Sequence, residues 1–301
     1  MSHPVLLSAA WMGGTLLSFT AMAVAARELS EDLSTFQILS IRSFIGLLLI
    51  STILSQKGWQ QLSLKNIKVH LVRNVAHFCG QFGWFYAIAF IPLAAVFAIE
   101  FTVPIWTAVF AAILLAERIT GVRVLAIMLG VVGVLVILRP GLVVVHPAAI
   151  AMLGGAVAYG LSHALTKKLS GSDSSLSILF YMMLIQLPLG LLPAAFDWVT
   201  PTAAQWPWLI VVGITGLTAH LCMVRALSLA DATLVIPMDS LRLPLIALVG
   251  SVVYSERLDA CLALGAGLIV AGNLMNVLWE WKKERAEPTA KKAAGTALTS
   301  E

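Results

Sequence analysis

Polar side chains recur at helical spacing inside one long apolar stretch of the chain. They lie four, four and three residues apart, on one face of a helix: Arg73, His77, Gln81 and Trp84. In apolar surroundings such groups either hydrogen-bond neighbouring helices together or bind a polar substrate. We predict substrate binding for His77, Gln81 and Trp84, whereas Arg73 lies near enough to the end of its stretch to snorkel to water.

Two carboxylates and two arginines also lie inside apolar stretches, where an ionisable group costs roughly 2.5–3.5 kcal/mol. The spacing allows Asp239 to pair with Arg242, three residues later, and we expect Arg42 to pair with Glu100. These pairs either fasten helices together or contact a zwitterionic substrate. In the second case the carboxylates would bind its ammonium group and the arginines its carboxylate.

Three histidines lie in the same half of their apolar stretches: His77, His163 and His220. A histidine in such a place serves either as a hydrogen-bonding residue or as a titrating group, because its pKa is close to physiological pH. We therefore count all three among the predicted binding residues and keep a proton-coupled step open.

Two prolines, Pro104 and Pro244, are predicted to lie in the middle of helices. A proline there removes a backbone N–H and kinks the helix. The bends are either fixed or act as hinges, and their recurrence at equivalent places favours hinges.

The composition explains why polar groups stand out. Of the 301 residues 59% are apolar and only 11% charged, too few charges for the surface of a water-soluble protein. Apolar stretches of about 20 residues predict an all-α membrane protein with ten spanning helices. The predicted spans are 4–26, 33–54, 68–90, 93–115, 121–138, 147–168, 175–196, 206–229, 232–254 and 258–279.

Lysine and arginine predict the orientation of these spans. With both termini in the cytoplasm, twelve Lys and Arg residues fall on the inside and three on the outside, as the positive-inside rule requires. In this topology Glu100 and Asp239 are expected on opposite sides of the membrane midplane. The basic tail, 282–301, is predicted to be disordered and to touch anionic membrane lipids.

The two halves of the chain resemble each other at a constant offset. Glu100 aligns with Asp239, Gly133 with Gly272, and Pro104 with Pro244 after a one-residue slip. We call the separation between Glu100 and Asp239 in the sequence the repeat offset. Five spans per half is an odd number, so the second half must insert in the opposite sense, as in many secondary transporters. We predict two repeats, 1–140 and 141–281, with a site between them.

Several functional classes are disfavoured. The chain has no GxxxxGK[ST] phosphate loop, no HExxH and no serine–histidine pattern of a hydrolase. Its three cysteines are too far apart for a metal cluster. We expect no enzyme activity, no cofactor, no metal and no nucleic-acid partner. An intramembrane enzyme and a non-transporting partner or sensor protein are the rival classes.

Two stretches carry a family resemblance. Tyr86–Ala95, Pro104 and Ala116-Glu117-Arg118 resemble the EamA repeat of the drug/metabolite transporter superfamily, and Arg225–Ala232, Pro244 and Ser255-Glu256-Arg257 resemble its second copy. The resemblance implies an ATP-independent metabolite transporter of the bacterial plasma membrane that works by alternating access.

Within this superfamily the chain resembles the amino-acid exporters of the YddG type. The resemblance therefore implies export of amino acids, neutral and aromatic ones included. The alternative is a larger heterocyclic metabolite, such as S-adenosylmethionine, riboflavin or a nucleotide sugar. The Glu-Arg pairs Glu117-Arg118 and Glu256-Arg257 are expected to have a structural role at the membrane boundary.

Overall fold

The computed structural model of the chain describes residues 3–116, 120–139, 144–229, 238–239 and 241–297. Within these residues the secondary structure is helical and no strand occurs. Glu117, Arg118 and Asp231, which belong to the repeated motifs, lie outside them.

Eleven α-helices occur in the described residues, with one 3₁₀ turn at Trp59–Gln61. The helices are α1 (His3–Leu29), α2 (Thr35–Lys57), α3 (Ile67–Phe90), α4 (Leu93–Glu100), α5 (Val103–Leu115), α6 (Gly121–Leu138), α7 (Pro147–Ser170), α8 (Ser175–Ala194), α9 (Trp206–Leu229), α10 (Arg242–Tyr254) and α11 (Ala260–Ala297).

Hydroxyl groups begin several of these helices. The side chains of Ser34, Thr120 and Ser174 each accept a hydrogen bond from the backbone N–H three residues later. At the other end of the chain, α11 runs to Ala297, well into the tail predicted to be disordered. The alanines, lysines and glutamates of the tail are good helix formers.

The protein is a multi-pass membrane protein. Eight segments are long and apolar enough to cross a membrane: Leu6–Leu29, Thr35–Lys57, Leu93–Leu115, Gly121–Leu138, Pro147–Ser170, Ser175–Ala194, Trp206–Met223 and Ala260–Trp279. The predicted third span corresponds to α3, which has the length but carries the polar row. The predicted ninth corresponds to α10, a shorter apolar helix.

The predicted fourth span is broken. Helix α4 ends at Glu100 and α5 begins at Val103, and the Asn273 side-chain amide of α11 donates a 2.6 Å hydrogen bond to the carbonyl of Phe101 at the break. Pro104 is therefore the second residue of α5, and Pro244 the third of α10. Both prolines were predicted in mid-helix. They lie instead in a first helical turn, where a missing N–H leaves no hydrogen bond unmade.

Several elements recur at the repeat offset. Helices α3 and α9 both have 24 residues, and α5 and α10 both have 13, and the two members of each pair start one repeat offset apart. Helices α5 and α10 also end alike, at Ala116 and Ser255, which have the same left-handed conformation (φ 54° and 53°).

The helices pack mainly across the halves of the chain. Helix α1 packs on α9, α3 on α7, α2 on α8 and α6 on α11. The α6–α11 crossing is close: a Cβ on Gly265 would lie 2.5 Å from the carbonyl oxygen of Gly133, and one on Gly272 would lie 3.1 Å from that of Ala126. The main apolar core draws residues from several of these helices and includes Phe97, Met152 and Ile246.

Candidate functional site

A chain of four buried polar side chains runs across the middle of the bundle. When the Gln81 amide is oriented to suit both neighbours, its oxygen accepts from Nη1 and Nη2 of Arg42 on α2, at 2.7 and 3.0 Å. Its nitrogen donates to Gln186 Oε1 on α8 at 2.8 Å. Gln186 Nε2 lies 3.0 Å from Nδ1 of His77. We call Arg42, Gln81, Gln186 and His77 the amide chain.

Arg42 has no carboxylate partner among the described residues. Its side chain is 2% exposed, and Nε has no hydrogen-bond partner. The predicted pair Arg42–Glu100 is thus wrong. The guanidinium lies against Gly216 of α9, where a Cβ would come within 2.7 Å of Nε. A glycine on the facing helix makes the space for this charge.

Glu100 instead pairs with the other buried arginine. Arg242 Nη2 lies 3.3 Å from Glu100 Oε1 and 3.4 Å from Asp239 Oδ2, so the predicted Asp239–Arg242 pair is confirmed. The Trp84 indole N–H donates to Glu100 Oε2 at 2.8 Å. One arginine contacts both carboxylates, so Glu100 and Asp239 lie close together. Glu100 stands at the end of α4 and Arg242 at the start of α10, and these two helices pack together.

Aromatic rings surround the Arg242 guanidinium. Its central carbon lies 4.6 Å from the ring centre of Phe19, 5.2 Å from that of Phe97 and 5.3 Å from that of Phe101. Such cation–π contacts add to the carboxylate pairing in holding the charge away from water.

Tyr159 of α7 lies between the amide chain and the group formed by Arg242, Glu100 and Asp239. Its ring stands edge-on to His77, with centroids 5.2 Å apart, and it lies near Arg42, Glu100 and Arg242. His163 stacks obliquely near Tyr159, and His220 packs edge-on against Phe19. The predicted histidines thus face the same region, but of the three only His77 belongs to the amide chain.

Arg73 does not reach water as a snorkelling side chain would. It is 6% exposed, and its Nε donates to Thr166 Oγ1 on α7 at 3.0 Å while Nη1 donates to Asn74 Oδ1 at 2.6 Å. Its helix packs so closely on α7 that the guanidinium finds neutral partners inside the bundle. The expectation of snorkelling is wrong.

At the end of the bundle where α1 ends, Glu256 joins three elements. Its Oε1 accepts from Arg27 Nη2 at 3.0 Å and its Oε2 from the Leu93 N–H at 2.9 Å, while the same Arg27 nitrogen donates to the Ile91 carbonyl. Burial raises the pKa of the Glu256 carboxyl, although the Leu93 N–H and Arg27 lower it in part. We call Arg27, Glu256 and the Ile91–Leu93 backbone the end latch.

At the other end, Asp173 in the α7–α8 connection accepts from Asn66 and Ser172, each at 2.8 Å, and lies 3.5 Å from His70 Nε2. Burial opposes ionisation of Asp173, but these hydrogen bonds outweigh it and hold the pKa of the carboxyl below its ordinary value. The cluster ties α3 to the connection between α7 and α8.

The sequence did not single out Gln186. It lies far along the chain from Gln81 and His77, and it forms no spaced row with other polar residues on α8. A single Gln in an apolar stretch looks the same whether it faces the centre or a neighbouring helix. Tyr159 was recognisable in the sequence as an aromatic side chain that either stacks on a substrate or packs in the core.

A separate apolar cleft of about 210 Å³ lies between α5, α6 and α7. It is lined by Thr102, Ile105, Trp106, Gly130, Val131, Val134, Leu135 and Leu153. Val131 and Leu135 are also largely exposed on the outer surface, so the cleft is not part of the central polar region.

Comparison with known proteins gives a match over nearly the whole chain. The sequence profile of the EamA-like transporter family matches residues 6–139 and again residues 146–278. The double match covers both halves of the bundle just described.

Individual relatives differ in what they carry. The chain is 25% identical to an S-adenosylmethionine uptake transporter of Rickettsia bellii, over 90% of this chain and 94% of that one. It is 29% identical to a riboflavin transporter of Vibrio cholerae (95% and 98%) and 30% identical to the pseudopaline exporter CntI of Pseudomonas aeruginosa (84% and 89%).

A protein crystal structure has the same fold. It is 18% identical in sequence, covers 92% of this chain and 98% of its own, and superposes with a TM-score of 0.62. At this identity the likeness concerns the fold alone.

Proposed function

The chain belongs to the EamA-like transporter family, and from this membership we propose that it carries a carboxylate-bearing metabolite across a bacterial inner membrane by alternating access, without ATP. The names of its relatives also describe transporters rather than enzymes. The substrate binds between the amide chain and the Arg242–Glu100–Asp239 group.

The isolated charge of Arg42 carries this proposal. A buried ion without a counter-charge costs several kcal/mol, and one neutral amide offsets only part of that. A carboxylate fits the planar fork of a guanidinium and can accept from two nitrogens at once. Arg42 is therefore the group to which a substrate carboxylate binds.

The other polar group suits a positively charged end of the substrate. Asp239 Oδ1 is buried and has no partner among the described residues, although Oδ2 contacts Arg242. An ammonium group would supply the missing donors. Trp84 and Tyr159 add aromatic faces beside the path between Arg42 and Asp239.

Two substrate classes meet these requirements. Amino acids, which the sequence analysis predicts as exported substrates, have both charges on a small molecule. S-adenosylmethionine has the same amino-acid head on a larger heterocycle, and the uptake transporter of Rickettsia bellii favours this second class. Riboflavin, named for the relative in Vibrio cholerae, has no carboxylate and would not use Arg42 in this way.

We further propose ten spanning helices in two inverted repeats of five, 1–140 and 141–281, with both termini in the cytoplasm. The elements that recur at the repeat offset support the repeat, and the charge distribution supports the orientation. Pro104 and Pro244, each in the first turn of its helix, are the proposed hinges.

A counterflow assay tests the substrate class. Purified protein in liposomes is loaded with unlabelled phenylalanine, S-adenosylmethionine or riboflavin, and entry of the labelled compound is followed. We expect saturable exchange of phenylalanine or S-adenosylmethionine and at least tenfold weaker exchange of phenylalaninamide, which lacks the carboxylate. Equal exchange of the acid and its amide would contradict a carboxylate site.

Variants at Arg42 test the residue. Arg42→Gln removes the charge and should lower exchange of the acid at least tenfold, whereas Arg42→Lys keeps the charge without the fork and should lower it less. His146→Asn is the control, because His146 lies at the start of α7 and its capping hydrogen bond to the Ala148 N–H can be made by Asn. Wild-type exchange of acids by Arg42→Gln would refute the assignment.

A further inference from the structure

The hydrogen bonds of the amide chain all point the same way. Arg42 can only donate, so it fixes the Gln81 oxygen towards itself and the Gln81 nitrogen towards Gln186. The Gln186 oxygen must then face Gln81, and its nitrogen must face His77. Nδ1 of His77 therefore has to accept, so its ring proton is on Nε2 and the imidazole is neutral.

Protonation of His77 is incompatible with this order. A proton on Nδ1 would meet the Gln186 N–H group at a distance of 3.0 Å, so the Gln186 amide would have to turn over. Gln81 would have to turn over as well, to present its oxygen to Gln186. Its nitrogen would then face Arg42, donor against donor, and the Arg42–Gln81 bonds would be lost.

A substrate carboxylate at Arg42 removes that conflict. It accepts from both terminal nitrogens of Arg42 and also from the reversed Gln81 amide. We propose that His77 takes up one proton when a carboxylate binds to Arg42, so that the protein moves carboxylate and proton together. The inference rests on the proposed function and names its coupling ion.

The charges around His77 agree with this coupling. The charged and titratable groups of the described chain that face it are Arg42 on α2, Arg73 on α3, Tyr159 and His163 on α7, and His220 on α9. None of them is a carboxylate. A proton on His77 alone would add to a set of buried cations, whereas a proton and a carboxylate together leave the net charge unchanged.

The step itself is a simple proton binding. Water on the side from which the substrate enters supplies the proton to Nδ1 of His77, and the Nε2 proton stays in place. When the carboxylate leaves on the other side, Gln81 returns to Arg42, Gln186 follows, and His77 releases the proton there.

The first experiment measures protons directly. Purified protein in a nearly unbuffered detergent solution with a pH-sensitive dye is mixed with S-adenosylmethionine, phenylalanine or riboflavin, and binding is measured in parallel by calorimetry. We expect about one proton taken up per bound phenylalanine or S-adenosylmethionine, and none with riboflavin. Binding of an acid without proton uptake would overturn the coupling and leave the proposed function standing. If none of the three compounds binds, that result would instead count against the proposed function.

The second experiment uses the pH gradient as the driving force. In liposomes with the membrane potential clamped at zero, one pH unit should drive up to about tenfold accumulation of the acid at one proton per substrate. His77→Gln cannot titrate and should only equilibrate the acid, whatever rate of counterflow it keeps. Gln186→Leu removes the amide that links Gln81 to His77, so this variant should also only equilibrate the acid.

His146→Asn, which removes a histidine outside the amide chain, is the control and should accumulate the acid as the wild type does. Gradient-driven accumulation by His77→Gln would show that another group carries the proton. If neither His77→Gln nor Gln186→Leu folds, the proton uptake of the wild-type protein alone decides whether binding and protonation are coupled.

Discussion

Arg42 fits inside the bundle because the residue that faces it on α9 is a glycine, which has no side chain. Gly216 leaves the space that the guanidinium fills, and Gln81 holds the guanidinium there through a neutral carbonyl group. A charge placed in this way is buried but not neutralised. In the proposed function, the carboxylate of the substrate supplies its counter-charge.

We predict that Gly216→Ala selectively weakens substrate binding. The new Cβ would lie 2.7 Å from Nε and 2.8 Å from Nη2, so the guanidinium must shift away from Gln81. The apparent affinity for the acid in counterflow should fall about tenfold, equivalent to about 1.4 kcal/mol. Gly13→Ala is the matched control, because nothing lies within 4 Å of its Cβ. Equal effects of the two changes would argue against a role for this space.

At this scale the sequence predicted the residues better than their pairings. The polar row on α3 and the four buried charges were visible as polar types in apolar stretches. The Asp239–Arg242 pair was predictable because both stand on one turn. The Glu100–Arg242 pair was not, since it joins two chain segments with no spacing rule between them.

Among the elements, α11 offers two glycines in contrasting surroundings. Gly265 faces the Gly133 carbonyl on α6, whereas nothing lies within 4 Å of a Cβ on Gly267. We predict that Gly265→Ala lowers the free energy of unfolding by about 1–3 kcal/mol, because α6 and α11 must separate. Gly267→Ala should be neutral or slightly stabilising. Thermal unfolding in detergent measures both, and similar losses would contradict the close crossing.

Asp259 immediately precedes α11 and gives a prediction that depends on pH. Its Oδ1 accepts from the Leu262 N–H at 2.7 Å, and its Oδ2 accepts from Arg139 at 2.6 Å. The Leu262 N–H, together with Arg139, lowers the pKa of Asp259. A lowered carboxyl pKa stabilises the folded state above the unfolded pKa, and this contribution is lost as the pH falls below about 4.

Asp259→Ala should therefore lower the unfolding temperature at pH 7, through a lost cap of about 0.5–2 kcal/mol, and the difference from the wild type should shrink on acidification. Asp259→Asn keeps a capping oxygen without the charge, so its unfolding temperature at pH 7 should lie between those of the wild type and Asp259→Ala. A difference that does not change with pH would show that the charge of Asp259 contributes nothing.

The helices themselves were well predicted, but their interruptions were not. Predicted and observed ends agree within a few residues for most spans, because the apolar stretches are long and end at Gly, Pro or charged residues. The break between α4 and α5 falls inside the stretch from Leu93 to Val103, which is apolar except for Glu100 and Thr102. Its stabilising contact, Asn273 on α11, lies far away in the sequence.

For the molecule as a whole, the end latch joins the end of α1 to the start of α4 and to the segment after α10. Alternating access requires the two ends of the bundle to open in turn. On the proposed mechanism we therefore predict that the elements of the end latch separate in one of the two states.

Glu256→Gln should loosen that end. Arg27 and the Leu93 N–H donate to different oxygens of Glu256, and a glutamine has an acceptor at only one of these two positions. We expect a loss of about 1–3 kcal/mol in stability and faster hydrogen–deuterium exchange at the Leu93 amide. Glu28→Gln is the control at the same end, since its oxygen can still accept from the Tyr254 hydroxyl. Unchanged exchange at Leu93 in Glu256→Gln would show that the latch is not what closes this end.

The crossing of α6 and α11 has an evolutionary consequence. Its two contacts, Gly133 with Gly265 and Ala126 with Gly272, correspond to each other at the repeat offset. In an assembly of two identical separate chains, any change at one contact would be repeated at the other. Within one chain the two contacts are encoded independently, and they differ: one has alanine where the other has glycine, and that contact is the wider one. Joining the halves in a single gene thus allows the tight side of the crossing to be kept while the loose side varies.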